Sequence, residues 1–529
     1  MGFWSRFKLA TLTAARLVAV VYCSKPKCAS LAQSTSLVEH NATILSTTYH
    51  AIGALNISGT NNKIPFCQVC ASVRYGNNNS LAFELWLPDA KHYSSRFVAI
   101  GNGGQGGEIS HADMMVELNN HLGFAVAGGD AGHLASDNMA GDMLGMGAPG
   151  IYQPFLHDES QVKAWMHDAI SLFTPASKQL IETFYGKEAD FSYFRGCSAG
   201  GTQGFSLAEL RPELFDGIIA GCPANWFTHM LLSFLWNAQH TKKNATTLSP
   251  ETLTFIQASV MEECDLLDGV KDNVIQNPLD CHFNISSLLC HRDGLENNTC
   301  LTQDQLEAVQ ALYNGPVHSD ARGTSLFPGL ALGSEAGWSL PQVQGALSNA
   351  FTVPMLQNLV YKNMSYDADE FNWGSDVDFM DREAGPLINA IETNLTSFRN
   401  RGGKMIVHAG WADPNISPQW SMEHVEAITR ETLGKEVTVA ENDFVKLIMI
   451  PGGGHCGSIN AKYPYVPAQY GFTSAMVDWV EKGTEPVAGV KSWGPENGEN
   501  RTRRLCTWPQ VAKLKKGGEV DDWESYTCA

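Results

Sequence analysis

The spacing of apolar and polar positions predicts strands alternating with helices over the first part of the chain. Residues 94–100 and 123–128 are short apolar runs bounded by turn residues, and residues 191–195 form a third. Between the last two, residues 161–185 carry apolar side chains at helical spacing. Such alternation predicts a mainly parallel sheet. The same texture returns at residues 404–409 and 445–450, each leading into a turn rich in glycine or proline, so the sheet is interrupted and then resumed. From Trp226 to Ser397 the pattern changes to helical segments, a cysteine cluster and turn-rich loops such as Asn314-Gly315-Pro316. This predicts a core in two parts, residues 25–225 and 398–529, around an inserted lid domain at 226–397.

Candidate chemistry sits where these runs end. Gly196-Cys197-Ser198-Ala199-Gly200 fits the G-x-S-x-G nucleophile elbow, with a predicted strand before it and the helix-compatible stretch 202–210 after it. Strand, sharp turn and helix together predict an α/β-hydrolase fold with Ser198 as nucleophile. A serine of this kind needs a base. His455, in Gly452-Gly453-Gly454-His455-Cys456 just after the run 445–450, is suited to delivery over the sheet. The orienting acid falls between them in chain order as Asp413, in the tight loop after residues 404–409. For the oxyanion hole the expected donors are the amide of Ala199 and that of Gly103 or Gly104 in the glycine-rich stretch 101–107. That stretch lacks the Gly-Lys-Ser/Thr ending of a phosphate loop. His111, His133, His157, His167 and His408 lack the combined strand-end position and chain order of His455 and are expected to be structural.

Charge and the amino terminus narrow the partners. The 529 residues carry a net charge of −19 and no basic tract, which argues against nucleic acid. Arg6, Lys8 and Arg16 precede the apolar run 17–22, as in a signal peptide occupying residues 1–24. Sequons begin at Asn41, Asn56, Asn78, Asn244, Asn284, Asn297, Asn363, Asn394, Asn415 and Asn500, a density that suits a secreted, glycosylated protein. No later stretch has the roughly 18 uninterrupted apolar residues of a membrane helix, so no membrane partner is expected.

Cys197-Ser198, Asp413 and His455-Cys456 together resemble the tannase and feruloyl esterase family, in which a cysteine stands beside the serine and another beside the histidine. The resemblance spans nearly the whole mature chain. It implies a Cys197–Cys456 disulfide tying the nucleophile to its base, and the further pairs Cys264–Cys281, Cys290–Cys300, Cys506–Cys528 and Cys28–Cys67. Cys70 could replace Cys67, Cys222 is left over, and Cys23 leaves with the signal peptide. A second family mark is the acidic loop Cys264–Val274, which resembles a calcium loop of the lid. It would bind Ca2+ through the Asp265, Asp268 and Asp272 carboxylates and the Val270 and Val274 carbonyls, a hard-oxygen set whose spacing is not that of an EF-hand. The implied substrate is a small or polysaccharide-linked aromatic ester. Feruloyl or p-coumaroyl esters of plant cell-wall sugars lead, ahead of galloyl esters and of small esters from secondary metabolism. A noncatalytic glycoprotein on the same fold is the remaining alternative, disfavoured because all three triad candidates are present.

Overall fold

Strands fall where apolar runs can be buried on both faces. The computed structural model describes residues 24–32, 37–137, 146–242, 247–290, 300–458, 468–494 and 501–529. The signal segment through residue 23, Cys23 and the sequons at Asn244, Asn297 and Asn500 lie outside them. Nine strands form the main sheet: β1 (Ala42–His50), β2 (Phe66–Tyr75), β3 (Asn79–Pro88), β4 (Arg96–Ile100), β5 (Phe124–Gly129), β6 (Phe191–Cys197), β7 (Gly217–Gly221), β8 (Lys404–Gly410) and β9 (Val445–Ile450). Their order is β1-β2-β3-β5-β4-β6-β7-β8-β9. The six strands from β5 to β9 are parallel, and β1 to β3 add an antiparallel edge.

Successive residues of one strand serve opposite cores. On β4, Phe97 and Ala99 join one hydrophobic cluster, while Val98 and Ile100 join another on the opposite face. The first cluster takes in α2 (Ala169–Tyr185), α3 (Ala199–Leu210) and α7 (Gln419–Leu433). The second takes in α1 (His111–Asn119) and α8 (Phe472–Lys482). This two-faced burial is why the parallel strands read as continuous apolar runs. The antiparallel edge is different: β1 has one buried position and is otherwise exposed or half-buried, so it presents no such run; the sequence reading singled out neither β1 nor β2, β3 and β7.

Residues 226–397 run between β7 and β8 and contain α4 (Phe227–Thr241), α5 (Pro250–Cys264) and α6 (Gln303–Asn314). Ser249 caps α5 with Pro250 behind it, and Thr302 with Gln305 forms a capping box on α6. A third cluster built from residues 248–338, centred on Leu253, Ile256, Val309 and the fully buried Trp338, gives this segment its own small core. Among the described residues five disulfides form: Cys28–Cys67, Cys197–Cys456, Cys264–Cys281, Cys290–Cys300 and Cys506–Cys528. These are the pairs the resemblance implies; Cys70 remains a free thiol rather than the partner of Cys28.

Candidate active site

The turn between β6 and α3 holds Ser198 at φ 62° and ψ −120°, a conformation that costs a non-glycine residue about 1–3 kcal/mol and is kept only where neighbours enforce it. Here the Ser198 N–H donates to Gly221 O at 2.9 Å. The flanking glycines are a matter of space. A Cβ on Gly196 would lie 2.5 Å from Gly200 O, and one on Gly200 would lie 2.9 Å from Asn102 O.

His455 opens a short turn after β9, and its Nδ1 is 2.7 Å from Asp413 Oδ2. Asp413, only 2% exposed, is fixed by the Asn415 and Ile416 amides, which donate to Oδ1 at 2.8 and 3.1 Å. Nδ1 therefore carries the proton shared with the carboxylate, and Nε2 is the ring nitrogen left to act as base. Burial opposes a charge on this ring, but the Asp413 carboxylate and its hydrogen bond outweigh burial and hold the imidazolium well above the ordinary histidine range.

Ser198, Ala199, Gly103, Gly104 and His455 line one cavity of about 720 Å³. Ala199 is the first residue of α3, so its amide has no partner within the helix. The loop carrying Gly103 and Gly104 is anchored by residues the sequence did not reveal. Gln203 of α3 accepts from the Asn102 amide at 3.0 Å and donates to Asn102 Oδ1 at 3.2 Å and to Trp165 O at 2.8 Å. The Trp165 indole N–H donates in turn to Gly104 O at 3.2 Å. The position of Gln203, one turn along the helix from the elbow, was the only available hint.

The cavity lining combines apolar and polar groups. Phe227, Met230 and Phe234 of α4 contribute an apolar face with Leu347 and Phe351. Glu108, Ser110, His111 and Asp113 contribute polar groups, interleaved with Ile109 and Ala112. His111 lines the cavity with its Nε2 3.2 Å from Glu84 Oε1, and this partner raises its pKa. The other four histidines are packed elsewhere. His133 stacks on Phe155, His157 meets Asn358, His167 meets Ser206, and burial drives His408 down to about 3. Asn415 is half-buried in the cavity wall.

In the acidic loop, Asp265 Oδ1 accepts the Asp272 and Val274 amides, each at 3.2 Å, and Asp268 Oδ1 accepts the Val270 amide at 2.9 Å. Gly269 takes the left-handed turn between them at φ 86°. Arg503 forms an ion pair with Asp272 Oδ2.

Comparison with known proteins finds a family described as tannase and feruloyl esterase matching residues 67–529. An uncharacterized esterase of Xanthomonas campestris is 30% identical over 507 residues, covering 88% of this chain and 84% of its own. Feruloyl esterase B of Aspergillus niger is 29% identical over 513 residues, covering 92% and 93%. Among solved structures, feruloyl esterase B from Aspergillus oryzae superposes with a TM-score of 0.81 at 24% identity, over 95% of this chain and 99% of that one, which speaks to the fold.

Proposed function

The chain belongs to the tannase and feruloyl esterase family and is a carboxylic ester hydrolase, and from that premise we propose that it is a secreted serine esterase cleaving hydroxycinnamoyl esters, feruloyl or p-coumaroyl, of plant cell-wall sugars. Ser198 attacks the ester carbonyl while His455 Nε2 takes its proton. Asp413 holds the imidazole in the required tautomer and stabilises the imidazolium. The amides of Ala199 and of Gly103 or Gly104 receive the oxyanion, and His455 returns the proton to the leaving alcohol. Water then attacks the acyl-enzyme by the same route.

The observation that carries this reading is the cavity around Ser198, which is lined both by apolar side chains of α4 and by polar side chains of residues 108–113. A planar cinnamoyl group suits the face of Phe227, Phe234, Phe351 and Met230, and a hydroxylated alcohol suits the side of Glu108, Ser110, His111 and Asp113. A galloyl group carries three phenolic hydroxyls that need polar partners, and the α4 face supplies none, which ranks tannins second. Secretion is supported by the five disulfides, which persist in oxidising compartments. No described helix is long and apolar enough to cross a membrane.

A structural Ca2+ belongs to the same proposal, held by Asp265, Asp268 and Asp272 with the carbonyls of Val270 and Val274. The donor set fits a hard divalent cation. The Asp272 carboxylate is ion-paired with Arg503, and Asp268 and Asp265 lie close enough to act on the same guanidinium. Its contribution is to fix the loop beside the Cys264–Cys281 bridge; the hydrolytic steps do not pass through it.

The test is fluorophosphonate labelling of the wild type and Ser198→Ala, coupled to turnover of methyl ferulate, methyl p-coumarate, methyl gallate and a simple acetate ester. Labelling and turnover should both vanish in the variant, with the cinnamates the best substrates. Undiminished turnover would remove the serine mechanism, and preference for gallate would overturn the substrate class.

A further inference from the structure

The hydrolytic mechanism leaves one thiol at the site unused. Cys222 follows β7, is 2% exposed, and has φ 37°, with its amide donating to His408 O at 2.7 Å. Its Sγ and the Sγ atoms of Cys197 and Cys456 all lie within 4.8 Å of one another. It is equally close to side-chain ligand atoms of Asp413 and His455. The Cys456 amide donates to Cys222 Sγ at 3.4 Å, which seats the thiol against one end of the bridge. A free thiol, a disulfide and a histidine base are thus packed together, and the disulfide is the one joining the residues next to Ser198 and His455.

We propose that Cys222 is a resolving thiol that exchanges with the Cys197–Cys456 bridge and thereby uncouples the nucleophile from its base. Cys222 gives its proton to His455 or to hydroxide, and its thiolate attacks one sulfur of the bridge in the manner of ordinary thiol–disulfide exchange. A new S–S bond forms to Cys222 as the Cys197–Cys456 bond breaks. The bonding pair leaves with the departing sulfur, which takes up a proton. One disulfide and one thiol exist before and after, so no oxidant or reductant is consumed. Attack at Cys197 frees the loop of His455, and attack at Cys456 frees the elbow of Ser198. Either product lacks the covalent link between the two. The titratable groups facing Cys222 are His455, Asp413 and Tyr470, from the loops after β9 and β8 and from the short strand Gln469–Tyr470. Since the thiolate is the attacking species, exchange accelerates as pH rises.

The functional consequence rests on Ser198 and His455 being the catalytic pair, whereas the exchange itself is read from sulfur connectivity. The full-length protein is incubated without added thiol at mildly alkaline pH and sampled with time. Each sample is quenched in acid, alkylated with a maleimide and digested without reduction. Peptides joined through Cys222 should accumulate, with alkylation appearing on Cys197 or Cys456, in step with lost fluorophosphonate labelling of Ser198. The rate should be independent of protein concentration. Cys222→Ala should keep its own starting labelling severalfold longer. The proposal is overturned if Cys222 remains the alkylated residue with Cys197–Cys456 intact, or if the variant decays at the wild-type rate. Should the variant not fold, the wild-type peptide map decides. Failure to label Ser198 at time zero would strike the triad reading and leave the connectivity result standing.

Discussion

Replacing Gln203 tests whether the oxyanion loop is held in place from α3. The side chain is 2% exposed and makes three hydrogen bonds, two to Asn102 and one to Trp165 O. Gln203→Ala removes all three and strips buried groups of Asn102 and Trp165 of these partners. An unmade buried hydrogen bond costs about 1–3 kcal/mol, and water entering the space recovers part, so a loss of about 2–4 kcal/mol in stability is expected. Gln203→Glu is the sharper probe. It keeps the volume and the acceptor for the Asn102 amide, but places a second oxygen against Asn102 Oδ1 and Trp165 O, where a donor stood. The loop it perturbs carries Gly103 and Gly104, and losing one oxyanion donor costs about 10²–10³ in kcat, so a displaced loop should cost about 10–100-fold. KM should move little, because the donors serve the transition state more than the bound ester. The assay is kcat and KM on methyl ferulate, beside the rate of fluorophosphonate labelling and a thermal melt. A variant that melts earlier yet keeps kcat within about twofold of wild type would refute the positioning role.

The acid limb of kcat/KM should titrate above the ordinary histidine value, because Asp413 holds the His455 imidazolium against deprotonation. Asp413→Asn should shift that limb to lower pH and cut kcat by about 10⁴-fold, measured on the residual activity; an unmoved limb would dissociate Asp413 from the base. Glu335, fully buried beside Tyr313 and the Gly333 amide, is pushed up by burial to about 7. The unfolded chain ionises this carboxyl first, so the fold loses stability as pH rises from about 4.5 to 7, by at most about 3 kcal/mol. Melts of Glu335→Gln across that window should be flatter than wild type, and parallel curves would contradict the account. Chelation should lower Tm by several degrees, with recovery on adding Ca2+ but not Mg2+, and Asp268→Asn should abolish the response. A Tm indifferent to both treatments would dismiss the ion.

What the sequence disclosed and what it hid divide along one physical line. Ser198, Asp413 and His455 were legible because each lies in a tight turn at the end of a strand buried on both faces. A largely apolar strand leading into a glycine-rich turn is a local signal, and chain order does the rest. The five disulfides were legible only through resemblance, since spacing alone leaves many connectivities open. The antiparallel edge β1 escaped notice because its side chains are mostly exposed or half-buried and carry little hydrophobic periodicity, and β2, β3 and the short buried β7 went unnamed with it.

Asn102, Trp165 and Gln203 escaped for a different reason. They are single polar or aromatic residues in apolar surroundings, and their meaning lies in partners 38 to 101 positions away that no window along the chain can contain. His111 and Cys222 belong with them. Each looks like an ordinary buried or half-buried side chain until the sheet brings Glu84 beside the one and the Cys197–Cys456 bridge beside the other. The division has a mechanistic edge: reacting groups must sit in turns with particular backbone geometry, and turns write themselves into sequence through glycine and proline. The groups that hold the reacting ones in place need only contact, and contact can be made from anywhere in the chain. A pattern-based reading will therefore find nucleophile, base and acid well before it finds what keeps them aligned, and variants at Gln203 and Cys222 bear on that second, less legible half of the site.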